Sequence, residues 1–158
     1  MRDIVSEIGT FYSGLTAAPT ISSTQTSAAV KLTGYDGAMI YILAPTATSA
    51  GTMTPVVQYT NDDGTGNPNS GGWTSVPTSD LVLWTSTSAT DRTPVRVGNS
   101  QPLQLTSSVA LYQRVGYVGG IAGTSDYIRV VSTVASSWSA PYDVIIVLGR
   151  PRVLPASV

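Results

Sequence analysis

The chain has 158 residues, enough for one domain, and at this length a compact fold buries roughly 70% of the surface its unfolded chain would expose. It is 42% hydrophobic but only 11% charged, with a net charge of -1 and a single lysine, Lys31. That balance excludes the basic stripe a nucleic-acid binder needs to displace counterions from phosphate, and the absence of cysteine excludes disulfides and thiolate metal sites.

Ser and Thr make up roughly a quarter of the residues, well above average usage. Thr and Val suit strands while Ser, Gly, Pro and Asn suit turns, so the composition predicts an all-β domain. No stretch reaches the ~18 to 20 apolar residues of a membrane span. The opening MRDIVSEIGTFYSGL carries Asp3 and Glu7 in place of the apolar run of a signal peptide. The expectation is a soluble protein made in the cytoplasm.

Along the chain, Ile4, Ile8, Phe11 and Leu15 recur at spacings of four, three and four, which predicts a short helix or an extended arm packed on something. Residues 16 to 27 are small and polar and read as a linker or an edge segment. Val30 and Leu32 then face one way and Lys31 and Thr33 the other, and GYDG at 34 to 37 predicts a turn joining a strand pair. In AMIYILA, 38 to 44, both faces are apolar, so this strand is expected to be central or buried at a subunit contact.

TPVVQYT (54 to 60) and WTSV (73 to 76) are the next strands, joined by NDDGTGNPNSGG. Pro77, Pro94 and Pro102 interrupt short runs at 81 to 84, 95 to 97 and 103 to 106, where long irregular connections are expected. ALYQRVGYV (110 to 118) and DYIRVVSTV (126 to 134) flank GGIAGTS, which suits a hairpin. YDVIIVLG (142 to 149) is the last strand, and the prolines of RPRVLPASV exclude a helix or a central strand beyond it. Eight or nine short strands with turn signals make a β-sandwich, jelly-roll-like. Its expected parts are an N-terminal arm and linker over 1 to 27, the sandwich over 28 to 149 and an extended C-terminal tail over 150 to 158.

Chemistry has little to work with. There is no histidine, the commonest general acid and base, and Ser-His-Asp and cysteine nucleophiles are excluded. Most aspartates lie in turns, where their side chains bond nearby amides. The loop after Tyr59 has adjacent Asp62 and Asp63 and no closing glutamate, so it fits a strand connection better than a calcium loop. GGIAGTS lacks the lysine and following helix of a phosphate loop. Trp73, Trp84 and Trp138 could stack on sugars, but aromatics also fill cores and subunit contacts. Arg2, Arg150 and Arg152 lie toward the two chain ends, where arginine can pair with a neighbour's carboxylates. No catalytic set, cofactor or metal is implied.

The segments MRDIVSEIG, TSAAVKLTGYDGAMIYI, VQYTNDDG, WTSVPTSDLV, YQRVGYVG, YIRVVSTV and VIIVLGRPRVLP together resemble a family of small structural proteins of tailed phages and prophages, in order and spacing across nearly the whole chain. The motifs are strand and turn sequences rather than reactive residues. Residues 77 to 109 and the loop at 61 to 72 match least. The resemblance implies a virion protein at the capsid surface, a decoration or cement protein that bridges subunits of the major capsid protein, commonly as a homotrimer. The expected contacts are Arg2, Ile4, Ile8 and Phe11 in the arm and Arg150, Arg152 and Leu154 in the tail. A carbohydrate-binding virion module using Trp73 or Trp84, and a tail or connector protein, are the alternatives; a carboxylate enzyme using Asp62 and Asp63 is a third.

Overall fold

The structure, a computed structural model, describes residues 8–13, 20–44, 51–86, 93–106, 111–117, 126–136 and 138–151. In chain order these form β1 (Ile8–Ser13), β2 (Thr20–Ile21), β3 (Gln25–Thr26), β4 (Val30–Lys31), β5 (Tyr35–Ala44), β6 (Gly51–Thr60) and β7 (Thr74–Ser75). A 3-10 turn at Thr78–Asp80 leads to β8 (Leu81–Ser86), β9 (Val95–Gly98), β10 (Leu105–Thr106), β11 (Leu111–Tyr117), β12 (Tyr127–Ser136), β13 (Ala140–Pro141) and β14 (Asp143–Pro151). The all-β expectation holds.

One sheet runs β1-β14-β5-β11-β8-β9 and the other β10-β6-β12-β3, with β4 also on β12 and β7 also on β6; β2 and β13 make a small third pair. The antiparallel pairings nest. The first strands β3 and β4 meet β12, β5 meets β11, β6 meets β10, and β8 meets β9. A long hairpin of chain, folded over on itself, gives this order, which is the jelly roll. β14 then adds beside β5, and β1 beside β14, extending one sheet.

Alternation explains the core. Ile40 and Ile42 of β5, Val115 of β11, Leu81 and Leu83 of β8, and Val144, Ile146 and Leu148 of β14 point inward against Met53, Val57, Ile128 and Val130 of the second sheet. Trp138 is buried with them, and the hydroxyls of Tyr142 and Ser132 meet inside. Burial pushes the Tyr142 phenol well above its ordinary range, the Ser132 hydrogen bond opposing it.

Two glutamines do the work of missing strand. The side chain of Gln113, fully buried in β11, accepts from the Leu103 amide at 2.6 Å and donates to the Leu103 carbonyl at 2.8 Å. That of Gln101 accepts from the Val57 amide and donates to the Val57 and Val76 carbonyls, along the edge of β6 between β7 and β10. Each amide supplies the donor and acceptor that a neighbouring peptide would otherwise provide. The expected irregular stretch is thereby tied down at Gln101 and Leu103.

Three sequence expectations change. The run around GYDG makes no strand pair: β4 pairs with β12, while β5 lies in the other sheet. The glycine-rich segment after β11 joins no hairpin, because β11 and β12 belong to different sheets. Of the short helix or extended arm expected at the N-terminus, residues 8 to 13 take the extended form, paired with β14. The last strand runs on to Pro151, which is opposite Tyr35 at the strand end, where proline's missing amide is tolerated.

Candidate functional site

The outer face of the six-stranded sheet is apolar as well as the inner. Its side chains alternate with the core: Met39, Tyr41 and Leu43 on β5, Ile145 and Val147 on β14, Tyr112 and Arg114 on β11, Val82 and Trp84 on β8, all half-buried. Register sets them in rows across the strands. One row is Ile145, Tyr41, Arg114, Trp84, and the next is Val147, Met39, Gly116, Val82.

Gly116 shapes this face. A Cβ there would lie 3.1 Å from Cζ3 and 3.4 Å from Cη2 of Trp84, so the indole lies across the bare backbone. The Arg114 guanidinium sits 4.8 Å from the Trp84 ring centroid, a cation-π stack. Its Nε is buried without a hydrogen-bond partner. Tyr41 and Tyr112 pack with ring centroids 6.2 Å apart. Burial raises the Tyr112 phenol above its usual value, Tyr41 adding to the rise and Arg114 opposing it. Asp143 stands at the start of β14 in a third row with Leu43 and Tyr112, its Oδ1 accepting from the Val144 amide at 2.8 Å.

The second sheet turns a polar face outward. There Arg129 donates twice to Gln58 Oε1, at 3.0 and 2.9 Å, and lies 3.9 Å over the Trp73 ring. Partial burial lowers its guanidinium pKa. Threonines 52, 54 and 133 share that face, with half-buried Val56 and Val131 as an apolar pair between them and the arginine. Such a surface is comfortable in water, whereas the apolar one is not.

The loop from 61 to 72 closes on itself. Asp62 Oδ1 accepts from the Gly64 and Gly66 amides at 2.8 and 2.9 Å, and Asp63 Oδ1 accepts from the Thr65 amide and hydroxyl at 2.8 and 2.6 Å. Asp126 accepts from the Asp62 amide, and Tyr127 donates to the Gly66 carbonyl. These bonds, the Gly66 amide first for Asp62 and the Thr65 hydroxyl first for Asp63, hold both carboxyls below their ordinary range. Lys31, 3.5 Å from Asp62, is raised in turn, chiefly by its interaction with Tyr127. The aspartates serve the turn between β6 and β7, which pair at Gln58↔Ser75 and Tyr59↔Thr74. Among the described residues no cluster of three or more metal-ligating side chains forms.

Of the residues expected to make contacts, Ile8 and Phe11 lie in β1, opposite Gly149 and Val147, and Arg150 lies in β14. Arg2, Ile4, Arg152 and Leu154 fall outside the described residues. Sequence reading passed over Arg114, which sits on the apolar face with Asp143. The available signal was a charged residue at an outward position of a strand whose neighbours are apolar on both faces. Of the tryptophans, Trp138 is buried and Trp73 and Trp84 each carry an arginine over one ring face.

Fold and surface together define a jelly-roll β-sandwich with one apolar and one polar outer face. No model of a known protein family matches the chain, and no curated protein matches it. Among solved structures, the SPBc2 prophage-derived protein YomS is similar over 88% of this chain and 90% of that one, at 12% identity and a TM-score of 0.42.

Proposed function

We propose that the chain is a non-enzymatic structural protein of a phage virion, a decoration or cement protein that binds the assembled head and bridges major capsid subunits as a homo-oligomer. The observation that carries this reading is the apolar outer face of the six-stranded sheet, which suits a protein whose task is to bury surface against another. Aromatic residues and arginine, as in Tyr41, Tyr112, Trp84 and Arg114, are the types enriched in such contacts. The absence of histidine and cysteine and the use of Asp62 and Asp63 as turn residues fit a protein without a reaction to perform. Repeated over a symmetric shell, modest contacts become strong through multivalency.

The test is co-sedimentation of the purified protein with assembled heads that lack it, alongside tails as a comparison. Saturable binding to heads is expected. Binding to tails alone would favour the tail or connector reading, and binding to neither would end both. Removal of residues 1 to 7 and 152 to 158 tests the arms: if head binding is unchanged, Arg2, Ile4, Arg152 and Leu154 are not contacts. The carbohydrate-binding alternative requires an open aromatic ring, and a glycan array without hits would close it.

A further inference from the structure

We infer that the apolar outer face packs against the same face of a second copy through a twofold contact in which Arg114 of each copy pairs with Asp143 of the other. The inference rests on the reading of that face as a protein contact and adds its partner and geometry. The Arg114 guanidinium stacks on the Trp84 ring, and its Nε is buried without a hydrogen-bond partner. A guanidinium held in this way is pre-oriented for a carboxylate arriving from above.

The face carries such a carboxylate. Asp143 is two strands and one alternation away from Arg114, since Ile145 shares the Arg114 row and Asp143 shares the row of Leu43 and Tyr112. With strands about 4.8 Å apart and about 3.4 Å per residue, the two are separated by roughly 12 Å. A twofold axis lying between two opposed faces, over β5 near Tyr41 and Leu43 and across the Arg114 to Asp143 line, brings each arginine onto the other copy's aspartate. One surface is then both halves of the contact, as isologous symmetry requires.

The size fits a weak dimer. Four strands of about six residues cover on the order of 400 Å² of flat area per copy. Side-chain relief brings the total buried by both copies to about 1,000 Å², the low end for a specific interface. Such a contact is modest alone and becomes effective when copies are gathered on a shell.

The test is sedimentation equilibrium over a concentration series. The wild-type protein is expected to form a concentration-dependent dimer. Arg114→Asp and Asp143→Arg should each be monomeric, because each places like charges opposite one another in a homodimer. An equimolar mixture of the two should dimerise again, because both ion pairs reform between unlike copies. Asp143→Asn, which keeps the shape and the bond to the Val144 amide, should weaken the dimer about tenfold. A wild-type monomer throughout, a trimer, an unchanged Asp143→Asn dimer, or a mixture that stays monomeric would each overturn the inference. Head binding without self-association would overturn this inference and the homo-oligomer part of the cement reading while leaving head binding itself standing, and self-association without head binding would overturn the cement reading alone.

Discussion

Replacing Gln113 by leucine isolates what one buried amide does for this sandwich. The side chain is fully buried and both ends are used, at 2.6 and 2.8 Å, by the amide and carbonyl of Leu103. Leucine matches its bulk, so no cavity complicates the result, but two backbone groups lose their partners. At about 1 to 3 kcal/mol for each unsatisfied group the sum is about 2 to 6 kcal/mol. Leu103 is 38% exposed, so water can reach part of this peptide once it loosens. The burial of leucine also returns some transfer free energy. The expected net loss is therefore about 2 to 4 kcal/mol, or a fall in Tm of roughly 5 to 15 °C for a domain of this size. Urea unfolding of wild type and variant measures it directly, and amide exchange at Leu103 should rise more than exchange at Val115. A loss below about 0.5 kcal/mol, within the range of an inert substitution, would mean that the Leu103 peptide is satisfied by water and the amide is no strand surrogate.

Gly51→Ala should be more severe, because its Cβ would lie 2.4 Å from the Trp138 nitrogen and 2.9 Å from its Cα, backbone atoms that cannot swing aside. A loss of about 3 kcal/mol or more is expected from the shift in urea midpoint, and a near-neutral variant would contradict that packing. Tyr142→Phe strands the Ser132 hydroxyl in the core and should cost about 1 to 2 kcal/mol by the same measurement, unlike a surface tyrosine. The folded-state pKa values of Asp62 and Asp63 are depressed, so their contribution is present above about pH 4 and is lost as pH falls through the lowered values. Thermal scans from neutral to acid pH should therefore show a steeper decline for wild type than for Asp62→Asn with Asp63→Asn, and equal slopes would remove the loop carboxylates from the account.

Strands were legible wherever an inward position had to be apolar. Ile40 and Ile42, Val115, and Val144 and Ile146 mark β5, β11 and β14 by alternation alone, and the apolar residues between them flagged the second face. Partners were not legible, because in a jelly roll the neighbour of a strand lies far along the chain. GYDG and GGIAGTS have turn chemistry, yet the strands they precede and follow sit in different sheets. Gln113 was readable in principle as a polar residue at an inward position. Its target, Leu103, was not, since a side chain that bonds a peptide leaves no pattern at the peptide. Terminal arginines attracted attention by their place in the chain, whereas Arg114 acquires meaning only once Trp84 and Gly116 are brought beside it.

The nested pairing also sets when the protein can fold. Ile40 pairs with Val115 on one side and Ile146 on the other, so β5 has no neighbours in its sheet until the much later β11 and β14 have left the ribosome. Contacts of such long range make folding slow, because loop closure must come before any sheet reward. Until then β5 exposes two apolar faces and two unpaired edges, a state open to association with other nascent chains. A messenger cut short before β14 would thus yield an aggregating product rather than a smaller sandwich, and high-level expression should depend on chaperones that hold the chain until its last strand arrives.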